Sequence, residues 1–108
     1  MPRYLIQASY NSAGILALVR NPQNRADVVR PIVEAAGGRL ESFDYAFGDY
    51  DVVAIAELPD SVSMAALSMA VSSGGAISAF KTTPLIPMQE AVEAMRRAGR
   101  MGYRPPEG

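Results

Sequence analysis

Glu57 is the residue whose surroundings first ask for an explanation. It follows Val52-Val53-Ala54-Ile55-Ala56 and precedes Leu58, and a lone carboxylate among apolar neighbours is costly unless something pairs with it. Two arrangements would satisfy it. At the end of a strand it reaches solvent or an arginine, Arg39 or Arg3. Turned inward with Gln7, Ser9, Tyr45 and Lys81 it would lose water, its pKa would rise, and it could accept a proton or anchor a ligand. Tyr50 and Asp51 offer a phenol beside a carboxylate, able to bind a polar group or act as a weak acid. The plainer reading of that stretch is a turn, with Gly48 at positive φ, Asp49 or Asp51 accepting turn amides, and Tyr50 covering a sheet edge. Lys81 is the single lysine beside nine arginines, and an exposed strand position is its ordinary place. Arg25 reads as a surface or interface ion-pair partner rather than a substrate clamp. The candidate ligand-binding set is therefore Gln7, Ser9, Tyr45, Tyr50, Asp51, Glu57 and Lys81, with no catalytic residue assigned.

Missing residue types narrow the chemistry further. The 108 residues include no histidine and no cysteine, which removes imidazole bases, thiolate nucleophiles and the ordinary ligands of zinc, haem and iron–sulfur clusters. Asp49, Asp51 and Asp60 are not spaced as a calcium loop, and the glycines form no phosphate cradle. No metal or cofactor is expected. Ten basic against eleven acidic side chains give a net charge of −1, so no field draws the chain to nucleic acid or an anionic membrane. No run of 18 apolar residues is present to span a bilayer, and no apolar stretch of secretory length follows Met-Pro-Arg-Tyr. A cytoplasmic protein is expected. Met-Pro before a strand is also how tautomerases begin, but nothing else in the chain matches them.

The elements that must position these side chains follow from periodicity. Arg3 to Tyr10 alternates as a strand. A helix from Ser12 to about Arg20 is followed by another from Arg25 to Ala36, bent near Asp27 to Arg30 by Pro31 and ended by Gly37-Gly38. Arg39 to Phe47 and Asp51 to Leu58 form a hairpin around Gly48-Asp49-Tyr50. A helix capped by Asp60 runs to about Val71, and a fourth strand, Ala76 to Thr83, is closed by Pro84 and Pro87. A last helix spans Pro87 to Ala98, with a polar tail from Arg100 to Gly108. Met64, Met69, Met88 and Met95 read as core fillers.

The order β-α-β-β-α-β predicts an α+β, ferredoxin-like sandwich over residues 3–84, with a C-terminal helix and tail over 85–108. With a turn at Gly48-Asp49-Tyr50, Phe43 would face Ile55, Tyr45 would face Val53, and Glu41 would face Glu57. Leu40, Ser42 and Ala46, with Val52, Ala54 and Ala56, would then form a helix-covered face of small residues suited to close packing. Phe43, Tyr45, Val53, Ile55, Leu5, Gln7 and Ser9 would occupy the face without helices. An apolar patch there calls for a partner surface, and a homodimer packing sheet on sheet is expected.

Phe47 to Asp60, with its Gly48-Asp49-Tyr50-Asp51 hairpin, resembles the signature stretch of the GYD domain family. Tyr10, Gly14, Arg25, Gly37-Gly38-Arg39-Leu40 and Ser73-Gly74-Gly75 extend the resemblance over about residues 3 to 83. Asn11 departs from it, standing where a threonine is common. The resemblance implies a dimeric α+β barrel and assigns no reaction. A module that binds a small molecule or serves assembly is the expected function. A cofactor-independent monooxygenase or isomerase using a barrel pocket is the alternative, carried by fold analogy, and a purely structural protein is a third reading.

Overall fold

The computed structural model describes residues 1–107. Its order is β1 (Arg3–Tyr10), α1 (Ser12–Arg20), α2 (Ala26–Ala35), β2 (Arg39–Tyr45), β3 (Val52–Glu57), α3 (Ser61–Ser72), β4 (Ile77–Leu85) and α4 (Met88–Gly99). The strands form one antiparallel sheet in the order β2-β3-β1-β4, the ferredoxin-like α+β arrangement with one helix added at its end. Gly108, the end of the predicted tail, lies outside the described residues.

Period-two alternation divides β1 between two faces. Tyr4, Ile6 and Ala8 are buried, and the first two join Val33, Leu40, Ala54, Leu58, Met64 and Leu67 in one core cluster on the helix side. Leu5, Gln7 and Ser9 point to the face without helices, and all three are half-buried. The helices carry their own stop and start signals. Asn11 caps α1 through Oδ1, which accepts from the Gly14 amide at 2.9 Å, while its Nδ2 donates to the Gly75 carbonyl at 2.7 Å. One side chain thus caps a helix and holds the segment entering β4. After α2 the chain closes a Schellman turn. Gly37, at φ 87°, donates to Glu34, and Gly38 donates to Val33. Asp60 caps α3 by accepting from Ser63 N at 2.8 Å.

The hairpin departs from its sequence reading in three ways. Leu40 pairs with Ala56 but Ser42 pairs with Ile55, so Glu41 is a bulge that shifts the rest of β2 by one residue. Phe43 therefore lies opposite Ala54 and packs against the helix-side core, and Tyr45 lies opposite Val52. Neither sits on the open face as expected, while Ser42 moves onto it. The physical reason is Glu41 itself. On the open face its carboxylate accepts from Arg3 at both oxygens, from Nε at 3.1 and 3.3 Å and from Nη2 at 2.8 Å. The third departure is Gly48, which is not among the glycines at positive φ.

Two smaller differences concern prolines and methionines. Pro84 does not close β4, which runs on to Leu85; β4 is an outer strand, where a missing amide is tolerated. Met64 is buried, but Met69 on the outer side of α3 is largely exposed, and so are Met88 and Met95, because α4 buries none of its residues.

Candidate functional site

The helices do not cover the sheet evenly. α2 packs on β2 and α3 packs on β4, leaving a gap over the central strands. Ala8 and Ala54 floor it with single methyl groups, and Ala70, Gly74 and Ala76 are equally small at its side. The result is a cavity of about 300 Å³ between the helices and the sheet. Exposed Val28 and Ile32 of α2 lie along the cavity's outer wall.

Among the described residues two polar side chains line this space, Tyr10 and Arg25. Tyr10 ends β1 on the same side as Tyr4, Ile6 and Ala8, so its ring enters the helix layer. Its backbone amide donates to Asp51 Oδ2 at 2.9 Å, which ties the hairpin loop to β1. Burial pushes the Tyr10 hydroxyl above its ordinary pKa; the positive charge of Arg25 pulls it down, and the negative charge of Asp51 adds to the rise. The phenol is accordingly a neutral donor near pH 7. Arg25 stands just before α2 and donates from Nη1 to Gln23 Oε1 at 2.8 Å. It makes no ion pair with a carboxylate among the described residues.

The residues singled out in the sequence fall into three places. Gln7, Ser9, Glu57 and Lys81 share the open sheet face: Gln7 lies opposite both Val53 and Lys81, and Ser9 opposite Ala79. Glu57 closes one end of that face. Arg39 donates to it from Nε at 3.2 Å, and Arg3 lies directly across the strand pair. The arginine pairing considered for Glu57 is the one found. Tyr45 joins neither group; it borders a shallow groove with Ile15, Leu18 and Val19 of α1. Asp51 buttresses the Tyr10 backbone, and Tyr50 is half-buried in the loop before it. The seven residues therefore do not converge on one pocket of a single chain.

Tyr10 and Arg25 were present in the resemblance without being counted as site residues. Their signal was available: Tyr10 has the parity of the buried face of β1, and Arg25 precedes the apolar Val28-Val29 stripe by one helical turn. Among the described residues no three carboxylates cluster as a metal site, and no helix is long and apolar enough to cross a membrane.

The family model described as GYD domain matches residues 4–95. The chain belongs to the GYD domain family. That match takes in every element of the GYD domain from β1 into α4, and with it the cavity, Tyr10 and Arg25. No curated protein matches the chain.

Proposed function

We propose that this GYD domain is a self-associating module that binds a small molecule in the cavity between its helices and its sheet. The cavity carries the reading. Its volume of about 300 Å³ falls at the lower end of the range for small-molecule sites, and a mostly apolar wall with two convergent polar groups is the usual composition of such a site. Binding is favoured over acid–base catalysis because the wall holds one proton-transferring group, a phenol whose pKa lies above its ordinary value.

Self-association is supported by surface. The chain exposes 7594 Å², whereas a compact monomer of this mass exposes about 5,800 Å². Its radius of gyration is 17.5 Å, against about 13 Å for a compact chain of this length. The excess comes with an exposed tail over 101–107, with an uncovered α4, whose Met88, Val92 and Met95 are all exposed, and with an open sheet face bearing Leu5, Val53 and Ile55. An excess near 1,800 Å² is on the scale that a stable homodimer hides from water.

Native mass spectrometry of the purified protein tests both halves. The expected result is an even-numbered assembly carrying a retained small mass, or one that gains such a mass from added ligand. Ala70→Trp, which fills the cavity from the exposed side of α3, is expected to abolish that mass while leaving the assembly intact. Retention of the same mass by the filled variant would place the ligand elsewhere and overturn the reading.

A further inference from the structure

Resting on the reading of the cavity as a ligand site, we propose that its ligand is an amphipathic monoanion. An apolar body would lie over Ala8 and Ala54, and a single carboxylate-type head would meet Arg25 and Tyr10. Arg25 is the first ground. Arg3, Arg39, Arg96 and Arg97 each face a carboxylate, while Arg20, Arg30, Arg100 and Arg104 are exposed to water. Arg25 alone among the described arginines is both half-buried and without an acidic partner, and it lines an apolar cavity. A cation so placed is compensated by an anion that arrives with a ligand, and a guanidinium fork matches a carboxylate in two bonds.

Tyr10 is the second ground. Its hydroxyl is a neutral donor, so the two polar groups of the wall both offer protons to an acceptor. Among the described residues no side-chain carboxylate or amide lines the cavity to receive a ligand's own donors. Apart from the Tyr10 oxygen, a sugar or an amine would find no side-chain acceptor there for its several donors. One guanidinium balances one negative charge: Arg25 is the single charged side chain among the described residues that line the cavity, and Asp51, whose carboxylate accepts from the Tyr10 backbone amide at 2.9 Å, is not among them. Volume sets the size: about 300 Å³ holds roughly ten heavy atoms at about 30 Å³ each. An alkanoate and a small arylcarboxylate share this chemistry.

Isothermal titration with octanoate, 4-methylbenzoate and octan-1-ol on the full chain tests the assignment. At least one of the two acids should bind about tenfold more tightly than the alcohol, and the stronger acid shows whether the body is alkyl or aryl. Arg25→Ala should erase that preference and leave the alcohol's Kd unchanged, whereas Arg25→Lys should keep part of it. Arg25 makes no side-chain cap bond to α2, so these variants are expected to fold, with circular dichroism as the check. Equal binding of acid and alcohol by the unaltered protein would overturn the anionic ligand and leave the cavity reading standing. Failure of all three to bind, or binding that survives Ala70→Trp, would overturn the cavity reading together with this inference.

Discussion

The carboxylate of Asp51 accepts a hydrogen bond from the backbone amide of Tyr10 at 2.9 Å, joining the hairpin loop to the end of the central strand. The Asp51 amide returns a bond to the Ala8 carbonyl, and its own carbonyl accepts from Ala46. The last residue of the Gly48-Asp49-Tyr50-Asp51 hairpin motif is thus a clasp that holds Tyr10 at the cavity wall. Asp51→Ala should lower stability by about 1–2 kcal/mol, the scale for losing a charged acceptor on an amide in a partly exposed site. Urea denaturation checks this, and a midpoint equal to the unaltered protein's would count against the clasp.

Glycines of the same chain should respond in opposite ways to alanine. A Cβ on Gly38 would overlap the Glu57 carbonyl oxygen and press on Leu58, and one on Gly14 would come within 2.6 Å of the Ala76 carbonyl oxygen. Backbone lies at both contacts and cannot swing aside. Gly38→Ala should therefore cost about 2–3 kcal/mol. Gly48 has open space around it and no positive φ, so Gly48→Ala should stay within about 0.5 kcal/mol. Thermal melts of the two variants separate the cases. A large loss at Gly48 would show that the turn needs glycine after all.

Legibility in the sequence followed the range of the forces involved. Tyr4, Ile6 and Ala8 announced the buried face of β1 because alternation is a local property of the chain. Gly37-Gly38 announced the end of α2 because a left-handed cap is local too. Phe43 was misplaced because Glu41-Ser42-Phe43-Asp44-Tyr45 reads the same with or without a bulge. The bulge goes with a bond that Glu41 accepts from Arg3, 38 residues away. The open face was read correctly at Leu5, Gln7, Val53 and Ile55, which pair across β1 and β3 without a register shift. The cavity escaped notice because it depends on where α2 and α3 come to rest, which no period in either helix encodes.

Acid should weaken the fold through two identified carboxylates. The hydrogen bond and charge of Arg3 hold Glu41 below the usual glutamate range, with Arg39 assisting against the opposing loss of water. The Ser63 amide holds Asp60 below the aspartate range. A carboxylate with a depressed folded-state pKa binds protons more weakly folded than unfolded, so its contribution is complete above the unfolded pKa. That contribution is lost as pH falls through the folded value. The melting temperature should hold steady from about pH 7 to about pH 5 and then decline below about pH 4. Glu41→Gln with Asp60→Asn should flatten the decline, since asparagine still caps a helix without titrating. An equally steep fall in the double variant would assign acid sensitivity to other groups.

Phe43 and Ile55 distinguish core from interface. The register places Phe43 opposite Ala54 under the helices and Ile55 opposite Leu5 and Ser42 on the open face. Phe43→Asp would put a carboxylate against Leu40, Ala54 and their neighbours without a partner, a loss of about 3 kcal/mol or more. It should give unfolded or insoluble protein. Ile55→Asp meets a different surface, half-buried and free of helices, so a single chain should tolerate it with its circular dichroism unchanged. If the open faces of two copies pack together, that charge would be trapped between them, and sedimentation should show monomers at concentrations where the unaltered protein associates. A folded Ile55→Asp that still assembles normally would remove the open sheet face as the site of self-association and leave α4 as the surface to test next.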